Sequence, residues 1–184
     1  MIKTICVFCG SRNGDNPSFI ELAKQTGEAF ASMNIDIVYG GSKMGLMGAV
    51  ADGSLDKGGH VVGVFPSMLT GLEIPHQSLT ELILTDSLGA RKERMIELSD
   101  AFLILPGGYG TLDEFFEVVT TRNLSLHLKP VFVLNFEGFW DGILAQLDQV
   151  TKKGFVKFQE ECPYIEVKTV EELIQEINLF TKNK

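Results

Sequence analysis

The chain has 184 residues, of which 45% are hydrophobic and 22% are charged, a composition typical of a globular protein rather than a disordered one. It carries 16 Lys and Arg against 24 Asp and Glu, and this net charge of -8 argues against a general nucleic-acid binder, which needs a cationic face. No apolar run approaches the roughly 20 residues of a membrane-spanning helix, and an odd count of 3 cysteines predicts free thiols in a reducing cytoplasm.

Short apolar runs alternate with segments of helical period along the chain. The runs predict strands at Ile2–Phe8, Ile35–Tyr39, Val61–Phe65, Leu82–Leu84, Ala101–Leu105, Val131–Leu134 and Tyr164–Val167. The segments between and after them predict helices at Pro17–Met33, Met44–Lys57, Leu88–Leu98, Thr111–Leu126, Trp140–Lys152 and Val170–Phe180. Asn16-Pro17 and Thr169-x-x-Glu172 are typical helix starts, and they precede the first and the last of these helices.

The order of these elements predicts an α/β fold. Strands rich in Val and Ile that alternate with helices are typical of a parallel sheet buried on both faces. No repeat, low-complexity tract or Pro/Ser-rich linker divides the sequence. We therefore expect a single Rossmann-like domain over residues 1–184, a three-layer sandwich in which a mostly parallel sheet is flanked by helices.

Three predicted strands end in glycine-rich loops, where the ligands of such sheets bind. The loops are Cys9–Gly14, Gly40–Gly45 and Pro106–Thr111. In the third, glycines lead into a helix predicted to begin at Thr111, and the N–H groups and dipole of such a helix start favour a phosphate or another anion. The same residues also fit a tight turn in which Thr111 and Glu114 form a capping box. The second loop matches neither standard nucleotide fingerprint, and its glycines also fit close packing of a helix on the sheet.

Two adjacent cations, Arg91 and Lys92, fall on the apolar side of the helix predicted at Leu88–Leu98. A cation on a core-facing stripe needs a carboxylate partner or a ligand anion, because burying it unpaired is costly. Two cations near a helix start also oppose the helix dipole, which favours a functional reason for them. The alternative is that both apolar stems lie along the helix while their charged ends reach solvent.

The helix predicted at Thr111–Leu126 carries two carboxylates one turn apart. Glu114 and Glu117 are predicted to lie on the side opposite the buried face, where they either form a solvated acidic surface or serve a hydroxyl-rich part of a ligand, such as a ribose. The apolar residues predicted to form the buried face are Leu112, Phe115, Phe116, Val118 and Val119.

Metal and redox chemistry find little support in the sequence. His60, His76 and His127 are scattered with no metal-ligand spacing, so no metal site is expected. Cys6-x-x-Cys9 lies in or at the end of a strand rather than at a helix start, and we interpret both cysteines as structural.

Taken together, these motifs resemble those of the LONELY GUY family, cytokinin-activating phosphoribohydrolases that have also been labelled lysine decarboxylases. The most specific element is P-G-G-x-G-T-x-x-E, which is intact at Pro106–Glu114, with an R-K pair upstream at Arg91-Lys92. The resemblance covers nearly the whole chain, from Cys9-Gly10-Ser11 to Lys129-Pro130 and Asn135.

The resemblance implies an N-glycosyl hydrolase that cleaves a nucleoside 5′-monophosphate, either AMP or an N6-prenylated AMP, into a free base and ribose 5-phosphate. It implies no metal and no organic cofactor, and a homo-oligomer that is most often a dimer; we expect no nucleic-acid or membrane partner. The catalytic residues that it implies are Arg91 and Glu114. The substrate-binding residues that it implies are Glu73, Lys92, Gly108, Tyr109, Gly110, Thr111, Leu112, Asp113, Glu117 and Thr120.

In this interpretation the glycine loop and Thr111 hold the 5′-phosphate and so fix the ribose. Cleavage of the glycosidic bond builds oxocarbenium-like positive charge at the anomeric carbon, which a nearby carboxylate stabilises. That carboxylate is assigned to Glu114, which can also activate water. Arg91 is expected to orient Glu114 or the charged groups of the ligand.

The sequence departs from the common family pattern at three places, which leave the preferred base open. Leu88-Gly89 stands where M-H is usual, Thr121-Arg122-Asn123 where W-x-Q is frequent, and Ser42 where many members carry glycine.

Two other functions remain as alternatives. One is a non-catalytic carrier of a nucleotide or phosphorylated cofactor on the same fold. The other is an amino-acid decarboxylase, which needs pyridoxal phosphate on a lysine, and Lys92 is the only lysine near the predicted site.

Overall fold

A computed structural model of the chain describes residues 1–71, 73–156 and 162–182. Seven strands and six helices alternate along it, except that only a 3₁₀ turn at Ser67–Leu69 separates the third strand from the fourth; a second 3₁₀ turn lies at Phe136–Gly138. The elements are β1 Thr4–Phe8, α1 Ser18–Ser32, β2 Asp36–Tyr39, α2 Gly45–Asp56, β3 Val61–Pro66, β4 Glu81–Thr85, α3 Leu88–Glu97, β5 Ala101–Ile104, α4 Tyr109–Asn123, β6 Val131–Leu134, α5 Asp141–Lys152, β7 Ile165–Val167 and α6 Val170–Lys182.

The seven strands of the described chain form one sheet in the order β4-β3-β2-β1-β5-β6-β7. Every neighbouring pair in it is parallel, so the predicted α/β class is confirmed. The chain runs outwards from β1 to β4 on one side and from β5 to β7 on the other. Strand order therefore reverses between β1 and β5, and in such sheets ligands bind beyond the carboxyl ends of the strands at this point.

Helices cover both faces of the sheet and bury two separate cores. On one face, residues such as Ile5 and Val7 of β1 pack with apolar residues of α1, α2 and α6. On the other face, Phe8 of β1 packs with residues of α3, α4 and α5. The alternation along β1 follows from the two-residue period of a strand. The three-layer arrangement agrees with the fold expected from the sequence.

Both predicted helix-start motifs are present. The Ser18 N–H at the start of α1 donates to Oδ1 of Asn16 at 3.0 Å. At α6, the Glu172 N–H donates to Oγ1 of Thr169 at 3.2 Å, and the Glu172 carboxylate accepts from the N–H of Lys168 at 2.7 Å. In the described part of the chain, no helix combines the length and the apolar character needed to cross a bilayer.

Candidate active site

A cavity of about 590 Å³ opens where β1 and β5 end. That volume is typical of a site for a small molecule, and its position matches the reversal of strand order. The lining comes from the loops after these strands, from α1, α2, α3 and α4, and from the segments around residues 73 and 139. Its residues are Cys9–Asp15, Phe19, Leu46, Met47, Glu73, Arg91, Pro106–Thr111, Glu114 and Phe139.

Two of the three glycine-rich loops, Cys9–Gly14 and Pro106–Thr111, line this cavity, whereas the loop Gly40–Gly45 leads into α2, whose Leu46 and Met47 line it. The Gly10 N–H donates to the carbonyl of Pro106 at 3.0 Å, and the Gly10 carbonyl accepts from the Met47 N–H at 3.3 Å. The loop after β1 is therefore hydrogen-bonded both to the loop after β5 and to the first turn of α2. These backbone hydrogen bonds fix the three segments relative to each other.

The loop after β5 leads into α4 with an uncapped helix end. α4 begins at Tyr109, with Gly108 just before it, and no side chain caps this end. A Cβ on Gly107 would collide with the hydroxyl of Thr111, so glycine makes room for that buried hydroxyl beside the cavity. The backbone N–H groups of the first turn, the helix dipole and this hydroxyl together favour an anion.

The interpretation of Thr111 and Glu114 as a capping box is wrong. The helix starts two residues earlier than predicted, so Thr111 lies inside the first turn rather than at the cap. A capping threonine must precede the first helical residue for its oxygen to reach the free N–H groups.

Arg91 of α3 and Glu114 of α4 form an ion pair at the wall of the cavity. Nη2 of Arg91 lies 3.2 Å from Oε1 of Glu114, and only 12% and 8% of the two side chains are exposed. A Cβ on Gly40 would collide with Nη2 of Arg91, so the second glycine loop provides the space for the guanidinium. The buried Nε of Arg91 has no hydrogen-bond partner among the described residues.

The environment of Glu114 alters its acidity. Burial raises the pKa of Glu114 to about 7, although the nearby charge of Arg91 acts in the opposite direction. Both protonation states are therefore populated near neutral pH. A carboxyl in a cleft with such a pKa is a typical candidate for acid–base chemistry.

The prediction that Glu114 lies opposite the buried face is wrong. Glu114 is buried, whereas Phe116, which was predicted to be buried, is 42% exposed. Phe115, Val118 and Val119 are buried as predicted. Glu114 can turn inwards because Arg91 on another helix offsets part of the cost of burying it, and helical periodicity carries no information about that partner.

Lys92 joins α3 to α4 beside the cavity. Its Nζ lies 2.8 Å from Oδ2 of Asp113 and 2.6 Å from Oε2 of Glu117. Burial lowers the pKa of Lys92, but hydrogen bonds to these two carboxylates outweigh it and raise the pKa above its usual value. Lys92 therefore links the two helices that carry Arg91 and Glu114 through ion pairs.

The cavity brings together only part of the predicted site. It is lined by Glu73, Arg91, Gly108–Thr111 and Glu114. The other predicted residues lie on α3 and α4 outside its lining, and they are Lys92, Leu112, Asp113, Glu117 and Thr120.

Several lining residues were not predicted. Arg12 belongs to the first glycine loop, which follows β1. Because β1 pairs with β5, this loop lies beside the loop after β5, and its position in the sequence could have indicated that its residues reach the same site. Phe19, Met47 and Phe139 come from three separate segments. No local pattern distinguishes such apolar residues from core residues.

Glu73 reaches the cavity on a segment laid across the second glycine loop, and we call residues 73–78 the strap. The Lys43 N–H donates to the Ile74 carbonyl at 2.8 Å, and the His76 N–H donates to the Gly41 carbonyl at 2.9 Å. The buried His76 ring lies 2.9 Å from Oδ1 of Asp52 through Nε2, and its Nδ1 accepts from the Ser78 N–H at 3.2 Å. The ring thus attaches the strap to α2.

Comparison with known proteins identifies the family. Residues 47–177 match the sequence model of a family described as "Possible lysine decarboxylase". A probable cytokinin riboside 5′-monophosphate phosphoribohydrolase of Oryza sativa subsp. japonica is 42% identical over 154 residues, which are 84% of this chain and 68% of the relative. A cytokinin riboside 5′-monophosphate phosphoribohydrolase of Arabidopsis thaliana is 39% identical over 175 residues, which are 95% of this chain and 82% of the relative. The chain belongs to the LONELY GUY family.

The family predicted from the glycine motifs is thus confirmed. Among solved structures, the molybdenum cofactor binding protein of Rippkaea orientalis superposes with a TM-score of 0.76 over 98% of both chains at 22% identity. At this level of identity the likeness shows a common fold and nothing about the ligand.

The older description of LONELY GUY proteins as lysine decarboxylases does not fit this cavity. Such a decarboxylase holds pyridoxal phosphate as a Schiff base on a lysine. No lysine lies in the lining of the cavity within the described chain, and Lys92 is engaged by two carboxylates outside it. The residues present therefore provide no attachment point for the cofactor.

Proposed function

We propose that this protein hydrolyses the N-glycosidic bond of a nucleoside 5′-monophosphate and releases an adenine-type base and ribose 5-phosphate. The observation that carries the proposal is the buried pair of Arg91 and Glu114 on the wall of a cavity that also contains the uncapped end of α4. The names of the two relatives, both cytokinin riboside 5′-monophosphate phosphoribohydrolases, support the same reaction.

The spacing on α4 explains how one ligand reaches both groups. Thr111 and Glu114 are three residues apart on a helix, so their side chains lie on the same face. Both residues line the cavity. A phosphate held by the first turn and by Thr111 places the attached ribose along this face. The anomeric carbon can then lie beside the carboxyl group of Glu114.

The reaction needs a carboxylate at that point. As the bond from the anomeric carbon to the base breaks, positive charge develops on the ribose, and ionised Glu114 stabilises it. A water molecule adds its oxygen to the anomeric carbon as the bond to the base breaks, and Glu114 accepts one of the water's protons. The departing base keeps the electron pair of the broken bond and takes a proton from solvent, to which Glu114 returns its own. Arg91 orients Glu114 and favours its ionised form, against the effect of burial.

The rest of the cavity suits a planar base. Phe19, Leu46, Met47 and Phe139 give the lining apolar surface beside the polar loops. We propose an adenine-type base, either that of AMP or one with an N6-prenyl group. The relatives favour the prenylated base, since their names specify a cytokinin substrate.

We also propose a homodimer in a reducing compartment such as the cytoplasm. α3 buries only Met95, and apolar residues of its surroundings, including Leu84 and Leu88, are exposed. Exposed apolar patches of this kind are typical of protein interfaces. The proposed reducing compartment is supported by the cysteines Cys6, Cys9 and Cys162, which are free thiols.

A base-release assay tests the proposed reaction. Purified protein is incubated with AMP and with an N6-prenylated AMP, and chromatography measures free base and ribose 5-phosphate in equal amounts. Glu114→Gln should bind the nucleotide but lose about 10² to 10⁴ of the turnover, since it removes the group that assists proton transfer and stabilises charge. Glu21→Gln, an exposed residue of α1, serves as the control. Tight binding without product by the wild-type protein would indicate a carrier instead.

A further inference from the structure

We infer that Arg12 contacts the 5′-phosphate of the substrate and makes the site selective for nucleoside 5′-monophosphates over nucleosides. The inference rests on the proposed function, since it assigns a partner to the phosphate of that substrate. It adds a side chain of the loop after β1 to a phosphate site that otherwise consists of the start of α4.

The charge balance of the cavity favours such a group. Three carboxyl groups lie in the lining; that of Glu114 is paired with Arg91, which leaves those of Asp15 and Glu73. A phosphate monoester adds about 1.5 to 2 negative charges at neutral pH. The dipole and N–H groups of one helix end offset only a fraction of that charge. A further cation near the phosphate therefore strengthens its binding.

Arg12 is the cation that remains for this purpose. Arg91, the other cation in the lining, is paired with Glu114. Lys92 lies outside the lining and is paired with two carboxylates. Arg12 is exposed, and its side chain makes no ion pair or hydrogen bond to the part of the chain that the structure describes.

The backbone places Arg12 next to the phosphate loop. Two residues before it, the Gly10 N–H donates to the carbonyl of Pro106 at 3.0 Å, where the loop to α4 begins. On the other side, a Cβ on Gly45 would collide with the backbone nitrogen of Arg12, so the loop lies directly on the start of α2. Arg12 thus extends from a fixed backbone at the edge of the cavity.

The chemistry of arginine suits this position. A guanidinium presents parallel N–H donors that match two phosphate oxygens, and it remains charged at every physiological pH. Its contact with the phosphate is made only when the ligand carries one. A nucleoside without the phosphate gains nothing from Arg12.

The test compares Arg12→Gln and Arg12→Lys with wild-type protein. Lys57→Gln at the end of α2, which removes the same charge from an exposed site outside the cavity lining, is the matched control. Base release is measured with AMP and with adenosine, and calorimetry measures the affinity for ribose 5-phosphate.

Arg12→Gln should raise KM for AMP and Kd for ribose 5-phosphate by roughly 10- to 100-fold, the usual effect of losing a hydrogen bond to a charged group. The turnover at saturating AMP and the rate with adenosine should stay within a few-fold of wild type. Arg12→Lys should recover part of the affinity, since it keeps the charge without the paired donors. Equal affinities of Arg12→Gln and wild type for ribose 5-phosphate would overturn the inference, as would an equal loss in Lys57→Gln.

The two hypotheses fail in different ways. If wild-type protein releases no base from any nucleotide, the proposed reaction fails, while the calorimetric comparison with ribose 5-phosphate and AMP still decides the role of Arg12. If base is released but Arg12→Gln keeps its affinity for both ligands, only the role of Arg12 is wrong.

Discussion

The acidity of one residue, Glu114, determines how the proposed activity depends on pH. With a pKa of about 7, the carboxylate form that stabilises the ribose cation is fully present only above neutral pH. As pH falls through 7, the protonated fraction of Glu114 grows and the rate should fall. Well below pH 7 the rate should fall about tenfold for each pH unit.

We therefore predict that kcat/KM for AMP rises from pH 5.5 and levels off above about pH 7.5, in step with the ionisation of Glu114. The second ionisation of the substrate phosphate, near pH 6, adds to the slope at the lower end. Initial rates at low AMP concentration measure this profile. A flat profile between pH 6 and pH 8 would contradict the assignment of Glu114.

Gly40 leaves no room for a side chain beside the guanidinium of Arg91. A Cβ there would collide with Nη2 of Arg91 and lie 2.8 Å from Sδ of Met47. We predict that Gly40→Ala displaces the guanidinium, raises the pKa of Glu114 further because the opposing charge moves away, and shifts the pH profile upwards with a loss of turnover of about tenfold or more.

Gly142→Ala is the control for that change, because nothing lies within 4 Å of a Cβ at Gly142 in α5. It should keep the wild-type pH profile and stabilise the protein by about 0.5 to 1 kcal/mol, as expected for alanine in place of glycine in a helix. If Gly40→Ala keeps both turnover and profile, the close approach of Gly40 and Arg91 is not needed for the reaction.

The position of the strap on α2 depends on the ring of His76. The ring accepts a hydrogen bond from Ser78 and contacts Asp52 of α2 at 2.9 Å, and Glu73 enters the cavity at the beginning of the strap. We predict that His76→Ala raises KM several-fold with a smaller change in kcat, because Glu73 loses its place while Arg91 and Glu114 keep theirs.

His76→Asn should restore part of the affinity, since the amide oxygen of asparagine can accept the Ser78 N–H in place of Nδ1. His60→Ala, at an exposed site near Asp36, should leave both constants unchanged. Steady-state kinetics and thermal unfolding are measured on all three variants. A lower unfolding temperature with an unchanged KM would mean that His76 stabilises the strap without positioning Glu73.

Sequence patterns predicted the elements better than their ends. Val131–Leu134 was predicted with the bounds it has, because the apolar run between Pro130 and Asn135 is too short for a helix and is typical of a strand buried on both faces. The start of α4 lies two residues before the predicted one, because Thr111 and Glu114 match a capping box that this helix does not contain. The hydrogen bond from Gly10 to Pro106, which fixes the preceding loop, joins residues far apart in the chain.

The candidate site was predictable only where its residues form a motif. The glycines and Thr111 of the loop after β5 reach the cavity as the motif suggested. The burial of Glu114 depends on Arg91, which lies on a different helix, and no local period contains that information. Lys92 matched the motif as well, but the positions of Asp113 and Glu117 on α4 direct it towards them instead.

An apolar edge is exposed on the molecular surface where β4 and α3 lie. It consists of Leu82, Leu84 and Leu88. We predict that the wild-type chain is a dimer through this edge, and that Leu84→Glu combined with Leu88→Glu yields monomers, because charged side chains oppose the burial of the edge. Light scattering after gel filtration measures the mass. Leu179→Glu, at an exposed site on α6, is the control and should remain dimeric. A wild-type monomer would contradict the prediction.

The pairing of β1 with β5 joins distant parts of the chain, since Ile5 lies beside Ala101 and Phe8 beside Ile104. A nascent chain leaving the ribosome therefore cannot complete the phosphate-binding wall until the segment through Thr111 has emerged, although β1 to β4 can already associate. Two separately expressed halves divided between β4 and α3 would each hold one side of the cavity. Their reassembly should be favoured by a nucleotide that contacts both.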